Sequence, residues 1–449
     1  MGAGNKPHIE AEESNAVLKN ETYIKVKPGY KLSGFCFLFN NAFITFQFFT
    51  SLVFPTFTFH KKSMRRILVV LLITNASTAL AQDFSFGRRM VDTLTTPYFW
   101  GRGYTNDGMK KAADFLADQF KSYGLEPMNG KSYLQPFSYP VNTFPGKMEV
   151  TINDKDLVPG KDFIVSPETK GVKASGDLDK LDSIQFINRK EMVVIKMQDK
   201  LTWDISPEVA TYSLILVDKK ALNKAPQSFK VNIDNKLVKN FKAANICGLV
   251  KGTVKPDSVI FITAHYDHLG GMGADTYFPG ANDNASGVSL LLNLAHYYGQ
   301  HPQKYSIAFI CFAGEEAGLI GSKYFTENPL LPLKNIRFLT NTDLAGTGEE
   351  GITVVNASEF PKEFAMMNAV NDEKKLLVKI NPRGKAANSD HYFFTEKGVP
   401  SFFFYTLGGI KAYHDVFDKA ATLPLNEHEH LFKLIVGFNE KLMGSTTSL

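Results

Sequence analysis

The sequence predicts an α/β protein: a three-layer α/β/α sandwich around a mixed, mostly parallel sheet, with a mostly β insertion. Three observations carry this. From about residue 240 onward, strand-like apolar runs alternate with helical ones. Those runs are apolar almost without interruption, as strands covered on both faces are. The stretch from about 146 to 230 breaks the pattern, with short alternating runs separated by Asp, Lys, Gly and Pro. A chain of 449 residues, 44% hydrophobic and 21% charged, is globular, which excludes disorder, a collagen-like fibre and a disulfide miniprotein.

The front end reads as a leader. Residues 1–81 carry nine Lys/Arg against four Asp/Glu, a surplus equal to the whole formal charge of +5, and residues 82–449 balance at 41 against 41. The folded part therefore lacks the basic excess of a nucleic-acid binder, and no nucleic-acid partner is expected. Met64-Arg-Arg, the apolar run 67–73 and Ala79-Leu-Ala81 follow the order of a secretory signal peptide. Such peptides start at the initiator methionine. The reading is then an over-extended gene model or disordered leader over 1–63, a signal peptide over 64–81 and cleavage near Ala81-Gln82, with a secreted or periplasmic mature chain. The Phe-rich stretch 32–60 is long enough to span a bilayer, but Asn40, Asn41, Gln47 and Pro55 oppose it. No stable membrane anchor is expected in the mature chain.

Residues 82–145 and 231–449 are assigned to one domain and 146–230 to the β-rich insertion. Ala112, Phe115, Leu116 and Phe120 recur at helical spacing over 107–123, and Gly124 supplies the stop. The insertion, with its lone Trp203, carries no catalytic pattern, so a structural or substrate-shaping role is assigned to it. Beyond it come strand 258–264, helix 285–298, strand 306–312, helix 316–325 and strand 336–342. Helices 361–371 and 390–397, strand 400–405 and helix 426–443 complete the chain. Cys247 and Cys311 lie in apolar β-like runs, where buried free thiols are the default. No C-x-x-C pair exists, so any metal must use His and carboxylate ligands.

In sheets of this kind, sites form at the carboxyl ends of strands. His265 and Asp267 follow the first of these strands, and Asp283 lies at a helix start. Glu315 and Glu316 follow the next strand, Asp343 ends another, and His414 sits in a late loop. The set offers an imidazole and a terminal carboxylate for each of two metals, with a third carboxylate to bridge them. Two Zn2+ suit this nitrogen and oxygen set, with Mn2+ or Co2+ as alternatives. One strand end cannot easily aim both glutamates at the metals, so one binds and Glu315 remains as general base. Asp267 is placed to orient the His265 imidazole. Taken singly, each residue has a plainer explanation, such as an N-cap for Asp283 or a solvated turn for the Glu pair. Their joint order and placement favour the metal centre.

These segments resemble the co-catalytic zinc exopeptidase family of secreted bacterial leucyl aminopeptidases and glutamate carboxypeptidase II, and more distantly glutaminyl cyclases. The resemblance spans about 240–425, with a weaker echo in Gly101-Arg-Gly. It implies His265 and Asp343 on one metal, Glu316 and His414 on the other, Asp283 bridging and Glu315 as base. It also implies a cis peptide at Asp283-Asn284, peptide substrates and aminopeptidase activity. Ser389-Asp390-His391 resembles a family element beside the cleft, and a helix cap explains Ser389 or Asp390 equally well. Glutaminyl cyclase-like activity, carboxypeptidase activity drawing on Arg383 and Lys385, and a non-catalytic binding module are the alternatives.

Overall fold

Val259 to Ala264 alternates sides as a strand must: Ile260, Ile262 and Ala264 face one apolar core, Val259 and Phe261 another. With both faces packed, this strand sits at the centre of the sheet. The computed structural model describes residues 34–39, 42–47 and 85–444. The strands Gly34–Phe39 and Ala42–Gln47 pair antiparallel within a unit of their own. The signal-peptide reading of 64–81, its cleavage point and the rest of the leader lie outside the described residues.

The central sheet has nine strands. Four neighbours form its parallel heart: Tyr305–Phe312, Lys255–His265, Ile336–Thr342 and Ser401–Thr406. Antiparallel strands flank this heart: Ile352–Val355 pairs with Ser401–Thr406, and Lys236–Val250 pairs with Tyr305–Phe312. The sheet is mixed and mostly parallel at its centre, as the sequence predicts. On one face pack the helices Gly108–Ser122, Gly287–Gln300, Pro361–Lys374 and His428–Gly444, through residues such as Leu116, Leu291, Met367 and Leu434. On the other face lie Phe325 of the helix Ile320–Glu327 and Phe394 of the helix His391–Glu396. Three layers result.

One helix starts later than the sequence suggests. Gly318 and Leu319 take positive φ, and both their amides donate to the Glu315 carbonyl. A turn therefore precedes Ile320, and Glu315 and Glu316 stay outside the helix, at the sheet's edge. Cys247 and Cys311 are free and buried on opposite faces, because they occupy register positions one residue apart in adjacent strands. Alternation alone prevents a bridge.

The insertion builds its own core from a five-stranded and a four-stranded sheet, closed by Phe163, Val193, Trp203, Ile215 and Phe229. It recruits Leu269, Met272 and Phe278 from the loop that follows His265. Among the described residues no helix is long and apolar enough to cross a membrane.

Candidate metal centre

His265 ends its strand with Nε2 3.4 Å from Asp283 Oδ1 and 3.2 Å from Asp343 Oδ1. His414 Nε2 lies 3.2 Å from Asp283 Oδ2 and 3.1 Å from Glu316 Oε2. The two oxygens of Asp283 thus face two different imidazoles, each with its own further carboxylate. Ligand atoms of His265, Asp283 and Glu316, and likewise of His265, Glu315 and Asp343, lie within 4.8 Å of one another. His265 Nε2 and Asp343 Oδ1 are buried without a hydrogen-bond partner. Buried polar atoms are normally satisfied, so convergent orphans of this chemistry fit a cation between them.

The charges say the same. Burial disfavours an imidazolium at His414, yet the Glu316 and Asp283 carboxylates overcome it and push its pKa up to about 12. At His265 burial is likewise outweighed, chiefly by Asp343 and Glu315. The carboxylates thus favour positive charge at both imidazoles, as they would favour a bound cation. The neighbouring glutamates diverge. Burial, then the Asp343 and Glu316 carboxylates, push Glu315 well above the usual carboxylate range. At Glu316, burial and Asp283 are overcome by His414 and His268, which hold it at about 2.

The Asp283 segment is shaped from both sides. Its peptide to Asn284 is cis. Asp418 accepts the Asn282 and Asp283 amides at 2.8–3.0 Å. From beneath, fully buried Arg102 donates to the carbonyls of Tyr266 (2.8 Å), Leu94 (3.2 Å), Pro279 (2.8 Å), Gly280 (2.8 Å) and Asp283 (3.2 Å). The glycines beside it let it reach. A Cβ on Gly103 would lie 2.3 Å from Gly270 Cα, and one on Gly101, whose φ is +59°, 2.3 Å from the Phe278 carbonyl.

Asp267 acts differently from the sequence expectation. The His265 Nδ1 partner is the Asp267 carbonyl at 3.2 Å, and the nearest carboxylate oxygen lies 3.9 Å away. The carboxylate instead accepts the amides of Glu315 (3.2 Å) and Glu316 (3.4 Å), because it points at the turn that precedes the late-starting helix. It therefore fixes the Glu pair. Ser389 is not a helix cap either: its hydroxyl donates to Asp343 Oδ2 at 3.1 Å and accepts from Asn341, which in turn accepts from Thr263. Asp390, at the helix N-cap, makes no side-chain capping bond.

Four contributors escaped the sequence reading. His268 Nδ1 lies 2.6 Å from Glu316 Oε1. His414 Nδ1 lies 2.8 Å from the carbonyl of Trp203, whose amide donates back to the His414 carbonyl at 2.9 Å. Arg102 and Asp418 are the others. Gly101-Arg-Gly was a usable signal for Arg102, whereas a backbone carbonyl such as that of Trp203 leaves no trace in residue identity.

A buried His and carboxylate cluster at the carboxyl edge of a three-layer sheet makes a candidate metal centre. The profile of peptidase family M28 matches residues 245–438. Aminopeptidase YwaD of Bacillus subtilis (strain 168) is 26% identical over 252 residues, 54% of each chain. A probable zinc metalloprotease of Pyricularia oryzae is 35% identical over 114 residues, 24% of this chain and 23% of that one. The aligned stretches thus span about half or less of these relatives. A zinc aminopeptidase structure from Bacillus subtilis shares the fold with a TM-score of 0.60 and 17% identity, over 80% of this chain and 94% of that one.

Proposed function

We propose that the protein is an exported zinc aminopeptidase with two metal ions. The observation that carries this is Asp283, whose two oxygens face His265 and His414 separately. His265 and Asp343 would hold one Zn2+, His414 and Glu316 the other, with Asp283 shared. Four carboxylates, Asp283, Glu315, Glu316 and Asp343, match two divalent cations in charge. Mn2+ or Co2+ would fit the same donors.

Bound zinc would lower the pKa of water and polarise a scissile carbonyl. Glu315, which lines the cleft, takes the proton of the attacking water and passes it to the leaving amine. Asp267 holds the Glu315 and Glu316 amides, so the base and the neighbouring ligand keep a fixed divergence. Ser389 restrains Asp343 by its second oxygen. Export rests on the signal-peptide order of residues 64–81.

The test supplies the zinc-loaded full chain with a mixed peptide pool and reads the products by mass spectrometry. Stepwise loss from free N-termini is expected, lowered about 10²- to 10⁴-fold in Glu315→Gln, and protein recovered from the producing cells should begin at Gln82. Loss from C-termini, or turnover unaffected in Glu315→Gln, would overturn the reading.

A further inference from the structure

The cleft above the metal centre, about 250 Å³, has two unlike ends. Its floor is acidic, with Asp283, Glu315 and Asp343. Its wall is apolar and aromatic, with Leu344, Phe403, Tyr405 and Tyr413, and it carries a single Lys or Arg among its lining residues, Arg383. Arg383 follows the edge strand Ile380–Pro382, and its backbone extends the ladder. Its amide donates to the Val354 carbonyl at 2.9 Å, and its own carbonyl accepts from Ala357 at 3.0 Å. The side chain thus starts from a fixed point.

The guanidinium itself is barely used. Its one side-chain partner is the Tyr405 hydroxyl, to which Nη1 donates at 3.3 Å, and no carboxylate of the described residues pairs with it. Lys385, two residues on, differs: it is paired with Glu396. Of two neighbouring cations, one is neutralised by the protein and the other faces the cleft with a planar fork of donors free. Such a fork matches a carboxylate in two places at once. Phe403 and Tyr405 lie on one side of their strand with rings 5.5 Å apart, so the path from floor to Arg383 is walled by aromatic surface.

We propose that Arg383 makes the cleft selective for a substrate carboxylate held at the end of an apolar path from the scissile bond. This rests on the aminopeptidase reading. The carboxylate has two possible sources: the side chain of an N-terminal glutamate or aspartate, or the C-terminus of a dipeptide. In either case the acidic floor takes the reacting end of the substrate and Arg383 takes its negative end.

The experiment compares kcat/KM of the zinc-loaded full chain on two matched pairs. Glu-Ala-Ala-amide against Gln-Ala-Ala-amide reads the side-chain source, and Ala-Ala against Ala-Ala-amide reads the C-terminal source. One pair should favour the carboxylate about 10- to 100-fold, the range for a charged hydrogen-bonded pair. The ratio should fall to about one in Arg383→Gln, and Arg383→Glu should disfavour the carboxylate. Arg383 is exposed and makes one side-chain bond, so neither substitution threatens the fold. A second readout needs no turnover: calorimetric binding of glutamate against glutamine, and of Ala-Ala against Ala-Ala-amide, to Glu315→Gln protein with and without Arg383→Gln. Ratios near one for both pairs in the unsubstituted protein, or a ratio that survives Arg383→Gln, would overturn the assignment. If no peptide loses its N-terminal residue, the aminopeptidase reading falls. The binding pairs then decide Arg383 alone: a carboxylate preference that Arg383→Gln removes supports it, and equal binding overturns it.

Discussion

His265 and His414 face the same aspartate, yet they are held from different regions of the molecule. His265 is oriented by the carbonyl of Asp267, two residues along its own strand end. His414 is oriented by the carbonyl of Trp203, 211 residues away in the β insertion, and its backbone is paired there too. One half of the site comes with the central sheet. The other half is braced by the insertion, which gives a region outside the candidate ligand set a direct hold on one candidate ligand.

A substitution that strikes what both halves share should have the largest effect. Arg102→Met removes five hydrogen bonds to buried carbonyls around the Asp283 segment. Leaving those groups unpaired should cost about 5 kcal/mol, a large part of a typical domain's stability. Urea denaturation would read this, and a loss under about 1 kcal/mol would show that Arg102 is not the clamp. Trp203→Ala should separate the halves. The indole is buried, stacks on Phe278 at 4.7 Å and donates to the Val165 carbonyl, so its removal should cost about 3 to 4 kcal/mol. It should also weaken one zinc about 10- to 100-fold while sparing the other. Zinc titration followed by elemental analysis would read two affinities in the unsubstituted protein and one weakened step in the variant. Equal weakening of both steps would contradict the division.

The smallest effect should touch neither half. His391 and His428, both in the scaffold, are held neutral by burial, with pKa values lowered to about 4; residues 146–230 contain no histidine. A depressed folded-state pKa leaves stability intact above about pH 6.5 and removes it as the pH falls toward 4, where the unfolded chain binds protons and the folded one does not. Between pH 7.5 and 5 each should forfeit about 2 kcal/mol. Denaturation of His428→Gln should therefore show a shallower pH slope than the unsubstituted chain, and parallel slopes would refute the assignment.

The sheet and the five candidate ligands were legible because each ligand follows an apolar strand or opens a loop at a strand's carboxyl end. Strand polarity brings the strand-end ligands His265, Glu316 and Asp343 to one edge. What surrounds them was not legible, for three physical reasons. The Trp203 carbonyl acts through backbone, which every residue has. Arg102 and Asp418 meet the Asp283 segment only through long-range packing. Asp267 and Ser389 were visible as polar residues, but the partners of the Asp267 carboxylate depend on where a helix begins, and Gly318 and Leu319 delay that start, while those of Ser389 lie 46 and 48 residues away on a neighbouring strand end. The insertion's β character was plain from its alternation, whereas its contact with His414 needed the folded chain.

The chain enters and leaves the insertion along one ribbon, Leu134–Thr143 against Lys236–Val250, with Thr143 directly opposite Lys236. Such neighbouring ends make the excursion between them a cassette: a short reverse turn could rejoin the ribbon without moving the sheet. A chain trimmed in this way would keep every candidate ligand and lose the Trp203 brace. Its imidazole at 414 would have to find a new anchor, so the cassette's removable position in the fold does not make it dispensable to the chemistry.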